Sequence, residues 1–314
     1  MPIELASREF VPKPWGSTNT GRWCNFDQKG ERIGEVWFGL VDAAAPQPTL
    51  LLKLLFTQAP LSIQVHPGDA FAQSVGLANG KTEAWYVLAA EYESRVALGL
   101  KRRISAEDLR SSVIDGTIAE LVDWRSTEAG EAILVPAGTI HAIGAGLTIA
   151  EVQQRSDTTY RLFDHGRQRE LHIEKALAVA DAGPPSRHSL PILLTQARTM
   201  LVKSPYFVLE RLTLPKSSDW WLNTGCESWL LVIAGKVRVG SVEAGVGEAI
   251  YIDEDHAKIE AGPDGVNGLL AYARPEPIAN LLERPHRAFE RRASAIADYR
   301  AASASPVRST VTPS

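Results

Sequence analysis

The sequence predicts a mainly β protein made of two successive antiparallel β units, with a small helical insertion in the first and a helix linking it to the second. Short runs rich in β-branched and aromatic residues, broken by Pro, Gly and Asn, recur through both halves of the chain. Helical periodicity is confined to two short regions.

In the first unit, EVWFGLV, LLKLLF, LSIQV and EAWYVLA, between residues 35 and about 90, read as strands of an antiparallel sheet or barrel. The segment SAEDLRSSVIDGTIAELVDW reads as one or two short helices near 105–123. There Ser105 can cap a first turn carrying Glu107 and Asp108, with Leu109 and Val113 at helical spacing. The apolar stretch from Ile133 to Ala150 approaches membrane-spanning length, but Pro136, His141 and three glycines turn it into strand, turn and strand. HIEKALAVADA places Ile173, Ala176, Leu177 and Ala180 on one stripe, which predicts a helix from His172 to Ala182, ended by Gly183 and Pro184. GPPSRHSLP is the expected boundary between units 1–183 and 192–284. In the second unit PYFVLERLTL, SWLLVIAGKVRVG and GEAIYID alternate as strands, a degenerate echo of the first. Residues 287–314, small and polar, read as a tail, disordered or partly helical at its start.

A chain of 314 residues is longer than most single domains, consistent with two units. With 45% hydrophobic and 22% charged residues it has the composition of a soluble globular protein. A net charge of −4 and a pI near 6.0 supply no broad positive field, which argues against nucleic acid or an anionic membrane as the main partner. The two cysteines, Cys24 and Cys226, form neither a zinc knuckle nor a disulfide framework. The charged start MPIELASREF lacks the apolar run of a secretory signal. A cytoplasmic protein, monomer or homodimer, is the expectation.

From Gly130 to His141 the chain reads GEAILVPAGTIH: a strand, a tight turn at Pro136 and Gly138, and a returning strand that aims His141 inward. This spacing resembles the second motif of the cupin superfamily, which implies jelly-roll β-barrels for both units. In LSIQVHPGD, Gln64 and His66 are two apart on a strand, so both leave one face while Val65 leaves the other. Glu83 opens the next strand run in GKTEAWYVL, with Lys81 two before it. Taken alone, Gln64 reads as a strand residue bonded to a neighbour; beside His66 it reads as a ligand. Two imidazoles, a carboxylate and an amide oxygen suit one Zn(II) per chain, with Mn, Fe or Co able to compete. A neutral amide in the set favours a chemical over a structural ion.

After His141, AIGAGLTIAEVQQRSDTTYRLFDHGR closely resembles type I mannose-6-phosphate isomerases, and KPWGS, QVHP and GKTEAWYVL resemble that family's other signatures in order, over roughly residues 10–175. The resemblance implies a zinc enzyme interconverting mannose 6-phosphate and fructose 6-phosphate through an enediol. Gln64, His66, Glu83 and His141 match the family's metal ligands. Lys81, Glu151 and Asp157 are the candidates to move the proton, and Arg161 matches a cationic residue near the reacting end or the phosphate. Glu151 stands on an apolar strand, where an unpaired carboxylate is costly. Trp15 and Trp85 suit core or rim packing as well as a sugar pocket and stay unassigned. The chain departs from the family pattern with Gly68 ahead of Asp69, and with Arg155, which reads as solvated, after the Gln pair. GEAIYIDEDH ends at His256 without the Pro-x-Gly turn, so the second unit is expected to bind no metal. A metal cupin acting as a sugar-phosphate sensor is the alternative, although it would need no proton shuttle. A non-haem iron dioxygenase would favour histidines over Gln64.

Overall fold

The computed structural model describes residues 3–24, 30–185, 190–253 and 256–285. The tail expected over 287–314 lies outside the described residues, as does the middle of the GPPSRHSLP segment, 186–189.

The chain opens with strands β1 (Ile3–Leu5), β2 (Ser7–Ser17), β3 (Ile33–Gly39), β4 (Leu50–Thr57) and β5 (Ile63–Val65), then helix α1 (Asp69–Ser74). Strands β6 (Glu83–Ala90) and β7 (Arg95–Leu100) lead into helices α2 (Ala106–Asp115) and α3 (Ile118–Leu121). There follow β8 (Val122–Ser126), β9 (Ala132–Val135), β10 (His141–Ile143), β11 (Leu147–Gln154), β12 (Tyr160–Phe163) and helix α4 (Ile173–Val179). The second half adds β13 (Ile192–Thr195), β14 (Arg198–Lys203), β15 (Val208–Leu214), β16 (Asp219–Leu222) and β17 (Ser228–Val239). It ends with β18 (Val242–Ala244), β19 (Ala249–Ile252), β20 (Ala257–Tyr272) and β21 (Leu282–Glu283).

The architecture is mainly β, as the strand patterns predict. A six-stranded sheet, β2-β3-β4-β11-β6-β9, faces a five-stranded sheet, β12-β5-β10-β7-β8, in the jelly-roll manner. A ten-stranded sheet carries the second half, and β1 pairs with β19 within it.

Strand β4 shows why the six-stranded sheet reads as a nearly continuous apolar run. Leu50, Leu52, Leu54 and Phe56 pack against Leu209, Trp229, Leu231 and Tyr251 of the second half. Leu55, on the opposite face, packs between the two sheets of the first half with Trp85, Val87, Leu98 and Ile149. A strand buried on both faces cannot show a clean polar alternation. Leu54 is fully buried at the junction of the two halves. Leu54→Ala is expected to lower unfolding free energy by about 2–5 kcal/mol, read from urea denaturation midpoints.

The helical insertion forms as its cap predicts: the Asp108 amide donates to Ser105 Oγ at 3.0 Å, Leu109 and Val113 are buried, and Gly116 ends α2 at φ +83°. Helix α4 stops at Val179 rather than running to Ala182. The Asp181 amide donates to the Gly138 carbonyl at 2.8 Å, and the Ala182 carbonyl accepts from Ile104 at 3.0 Å. These contacts with the rest of the fold pull the last turn into an extended path. The short helix α1, directly after His66-Pro67, has too few residues to show a periodicity and is not predicted by the sequence pattern.

Candidate metal centre and active-site cavity

The centre lies between the two sheets of the first half. On the six-stranded sheet, Lys53 pairs across the ladder with Glu151, Glu151 with Trp85, and Gln153 with Glu83. Partners directly across an antiparallel ladder share a face, so Lys53, Glu151 and Trp85 all point inward. On the opposite sheet Gln64 is registered between His141 and Arg161. The Pro136–Thr139 turn does two jobs: Thr139 N donates to Pro136 O at 3.1 Å to reverse the chain into His141, and Gly138 N donates to His66 O at 2.9 Å. Gly138 sits at φ +87°, where a side chain would be strained.

His66, Glu83 and His141 are all buried, and their donor atoms lie within 4.8 Å of one another. Each imidazole has Nδ1 against a backbone carbonyl, His66 on Thr158 O at 2.9 Å and His141 on Thr139 O at 2.8 Å. With Nδ1 protonated for those bonds, both Nε2 atoms present lone pairs, the arrangement that metal-binding histidines use. His66 Nε2 lies 3.4 Å from Glu83 Oε2, and His141 Nε2 lies 3.5 Å from Glu83 Oε1. His66 Nε2 has no hydrogen-bond partner. A buried lone pair facing a carboxylate oxygen calls for a proton or a cation between them. Burial, and then the Lys81 ammonium, push His66 down to about 3, so a proton is disfavoured and a metal cation fits. Burial lowers His141 as well.

Gln64 stands beside this group, its Nε2 3.3 Å from His141 Nε2 and its Oε1 accepting from Ser62 Oγ at 3.0 Å. A half-turn of the amide would offer Oε1 to an ion and Nε2 to Ser62, whose hydroxyl can equally accept. All four residues expected as ligands are therefore brought together.

Lys81 pairs with Glu83 Oε2 at 2.9 Å. Burial alone would raise Glu83, but Lys81 and the imidazoles outweigh it and hold the carboxylate well below its usual range. Burial would lower Lys81, and Glu83 and Glu151 reverse that, holding it above the usual lysine value. The Trp85 indole N–H lies 3.0 Å from Glu83 Oε1 and 3.2 Å from Glu151 Oε2, linking the two carboxylates. Glu151 is pushed up to about 7 by burial and then by Glu83, against the pull of Lys81 and Lys53.

This shift has a consequence for the metal-free protein. A carboxyl raised from 4.5 unfolded to about 7 folded binds its proton more tightly in the native state. Its contribution to stability is present below pH 4.5 and is lost as pH rises to about 7. Glu151→Gln is expected to flatten that fall, as measured by melting temperature against pH after chelation; an unchanged slope would remove Glu151 as its source.

A cavity of about 220 Å³ opens beside the centre, lined by Gln64, Lys81, Glu151, Asp157 and Arg161 together with Lys13, Glu35, Lys53 and Arg169. Arg161 lies on its wall, apart from the His66–Glu83–His141 group, with its guanidinium donating to Glu170 O at 2.7 Å. Asp157 reaches Lys53 at 3.4 Å. Arg155 lies elsewhere: it is partly buried and bonds the carbonyls of Pro48 and Leu50 at 2.5 and 3.2 Å, where the sequence suggests a solvated residue. Trp15 and Trp85 are both buried in the core between the sheets, and Trp15 also lines the cavity.

Lys53 is the residue that the sequence reading passes over. Its side chain is 2% exposed and lies 3.8 Å from Glu151, 3.9 Å from Glu35 and 4.3 Å from the Trp37 ring centroid. The available signal was a single charge inside LLLKLLF, since a lysine amid six apolar residues must find partners if it is buried. Arg169, fixed by Asp164 at 2.6 Å, was likewise unmarked.

No family model matches the chain. A mannose-6-phosphate isomerase of Streptococcus mutans is 40% identical over 168 residues, which cover 51% of this chain and 53% of that protein. Mannose-6-phosphate isomerase ManA of Bacillus subtilis is 34% identical over 210 residues, 61% of this chain and 65% of its own length. The match thus spans between half and two thirds of these relatives. Among solved structures, the mannose 6-phosphate isomerase of Bacillus subtilis superposes with a TM-score of 0.72 at 22% identity, over 86% of this chain and 98% of that one. A phosphomannose isomerase variant from Salmonella typhimurium gives 0.67 at 16% identity, over 87% and 99%. The chain has the β fold of these solved isomerases and is similar in sequence to proteins named mannose-6-phosphate isomerase.

Proposed function

We propose that this protein is a zinc-dependent aldose–ketose isomerase that interconverts mannose 6-phosphate and fructose 6-phosphate through an enediol, with Gln64, His66, Glu83 and His141 as the metal ligands. The observation that carries the reading is the buried His66–Glu83–His141 group beside a cavity lined by both acids and cations. In this reading residues 1–183 form the site-bearing unit and 192–284 a supporting one.

Moving a proton between C1 and C2 requires a group that accepts and returns it, and stabilisation of charge on the two neighbouring oxygens. The bound ion supplies the Lewis acidity for that charge. Glu151, raised to near neutrality by burial, has a proton affinity suited to accepting and returning a proton at working pH. Trp85 and Lys53 hold its carboxylate in place. Lys81 keeps Glu83 ionised and presents an ammonium to the cavity. Arg161, permanently charged, suits a phosphate dianion, and Arg169, whose Nε and Nη2 are held by Asp164, adds positive charge to the same wall. Trp15, Leu55, Leu61 and Ile143 form the apolar part of the wall and limit water around the reacting carbons.

The test is conversion of mannose 6-phosphate to fructose 6-phosphate before and after chelation, followed by restoration with each divalent metal and analysis of the metal carried by the purified protein. Turnover that falls on chelation and returns with zinc supports the reading; no turnover under any metal overturns it.

A further inference from the structure

Beyond β12 the chain turns back through Asp164 to His172, and Arg169 of this return lines the cavity beside Arg161 of β12. The turn is tight. His165 at φ +52° and Gly166 at φ +80° reverse the chain, and Arg167 N donates to Asp164 O at 3.0 Å. A histidine keeps that backbone conformation only where its surroundings fix it. Here its Nε2 bonds Leu61 O at 2.9 Å, and Arg167 Nη2 donates to Pro60 O at 2.7 Å. Leu61 is itself part of the cavity wall, with its amide on Ile143 O at 2.8 Å. At the other end of the return, His172 N donates to Arg161 O at 2.8 Å and His172 Nδ1 accepts from Arg161 N at 3.1 Å. The segment is anchored at both ends.

Inside it Asp164 is 4% exposed and takes three side-chain bonds. Arg169 donates Nε to Oδ2 at 2.7 Å and Nη2 to Oδ1 at 2.6 Å, and Arg167 donates Nε to Oδ1 at 3.0 Å. Burial would raise the Asp164 carboxyl, but the two arginines outweigh it and keep it below its usual range. A two-pronged pair of this kind fixes both the plane and the position of a guanidinium. It occupies Nε and Nη2 and leaves Nη1 of Arg169 without a protein partner among the described residues. Arg161 and Arg169 repel each other on the shared wall, and the Asp164 charge offsets part of that repulsion.

We propose that Asp164 is a positioning residue: by gripping Arg169 side-on it holds a second guanidinium at the cavity wall, where Nη1 receives the anionic end of the substrate. The identity of that anion, the phosphate of a hexose 6-phosphate, rests on the isomerase reading. Asp164 thus governs how tightly the substrate is held, apart from the metal and the proton transfer.

The experiment uses the full chain loaded with zinc and carrying Asp164→Asn, which keeps the shape and removes the charge. The binding probe is mannitol 6-phosphate, which has no carbonyl and cannot isomerise. By calorimetry it is expected to bind about tenfold more weakly than to the unmodified protein. KM for mannose 6-phosphate should rise by about the same factor, with kcat changed by less than about threefold and the bound metal unchanged. Arg169→Gln is expected to lose about tenfold in affinity as well. The double variant should bind no more than about twofold more weakly than Arg169→Gln alone, because Asp164 acts through Arg169. A purely structural role would instead add its own loss to that of Arg169→Gln. Asp164→Glu keeps the charge and displaces the fork by one methylene; a loss of about threefold there carries the test if Asp164→Asn does not fold. Unchanged affinity in either single variant, losses that multiply in the double variant, or a fall in kcat or metal in place of affinity would overturn the positioning role while the isomerase reading stands. An unmodified protein that binds mannitol 6-phosphate without turning over mannose 6-phosphate would overturn the isomerase reading alone, and one that binds neither would overturn both.

Discussion

Alanine in place of His141 is expected to remove the metal and the isomerase activity together, with turnover falling by on the order of a thousandfold or more. His141 Nε2 is one of the lone pairs facing Glu83, at 3.5 Å, and its Nδ1 is already committed to Thr139 O. Among the described residues, the only His, Cys, Asp or Glu group able to hold an ion here is His66, Glu83 and His141 itself. Trp85, whose ring centroid lies 5.5 Å from that of His141, is a donor only. His66, Glu83 and the neutral amide of Gln64 would remain, a set with a single imidazole that binds a divalent ion far more weakly than the full one. Metal analysis of the purified variant, with parallel assays at saturating zinc and a melting curve to show that it folds, checks the expectation. Stoichiometric metal at unmodified affinity in His141→Ala would refute the ligand assignment.

The second large effect separates rate from metal. Arg161→Ala is expected to keep metal stoichiometry and lose about a hundredfold in kcat/KM. The guanidinium stands on the cavity wall, outside the His66–Glu83–His141 group, so its loss leaves the ligand atoms in place. One nitrogen is tied to Glu170 O at 2.7 Å, while its Nε is buried without a hydrogen-bond partner. The side chain as a whole lines the cavity, where its charge can meet a phosphate or sugar oxygen. Comparing the variant on the sugar phosphate and on free mannose tells the two uses apart. A phosphate anchor raises KM mainly for the phosphorylated substrate; a group near the reacting carbons lowers kcat. Metal lost from Arg161→Ala, with metal retained in His141→Ala, would invert the division of roles.

The strand assignment was legible because alternation and punctuation are local, and the same is true of the Ser105 cap, where residue and partner lie three apart. The end of α4 was not, because Ala182 is taken out of the helix by Ile104, which no local pattern contains. The residues proposed as ligands are visible in the sequence for a similar reason. Gln64 and His66 share a short segment, and His141 follows a turn whose Pro and Gly announce themselves. Lys53 has no local signature because its partners Glu35, Glu151 and Asp157 lie far from it along the chain; the contact with Asp157 spans 104 residues. The burial of Arg155 has no local signature either, because the carbonyls that bind it belong to Pro48 and Leu50, where the chain enters β4.

By itself, then, the sequence determined the mainly β architecture, the residues proposed to bind an ion, and the faces of the strands that carry them, since each follows from periodicity two and from turn chemistry over a few residues. Only the tertiary structure decided which charges meet: that Trp85 bridges Glu83 and Glu151, that Lys53 is buried among three carboxylates, and that Arg161 lines the cavity wall with Lys81 and Glu151. A one-residue change of register would exchange the inward and outward faces of a strand, and register between distant strands is set by the packing of whole sheets. The chemistry proposed for this protein depends on that register as much as on the residues themselves.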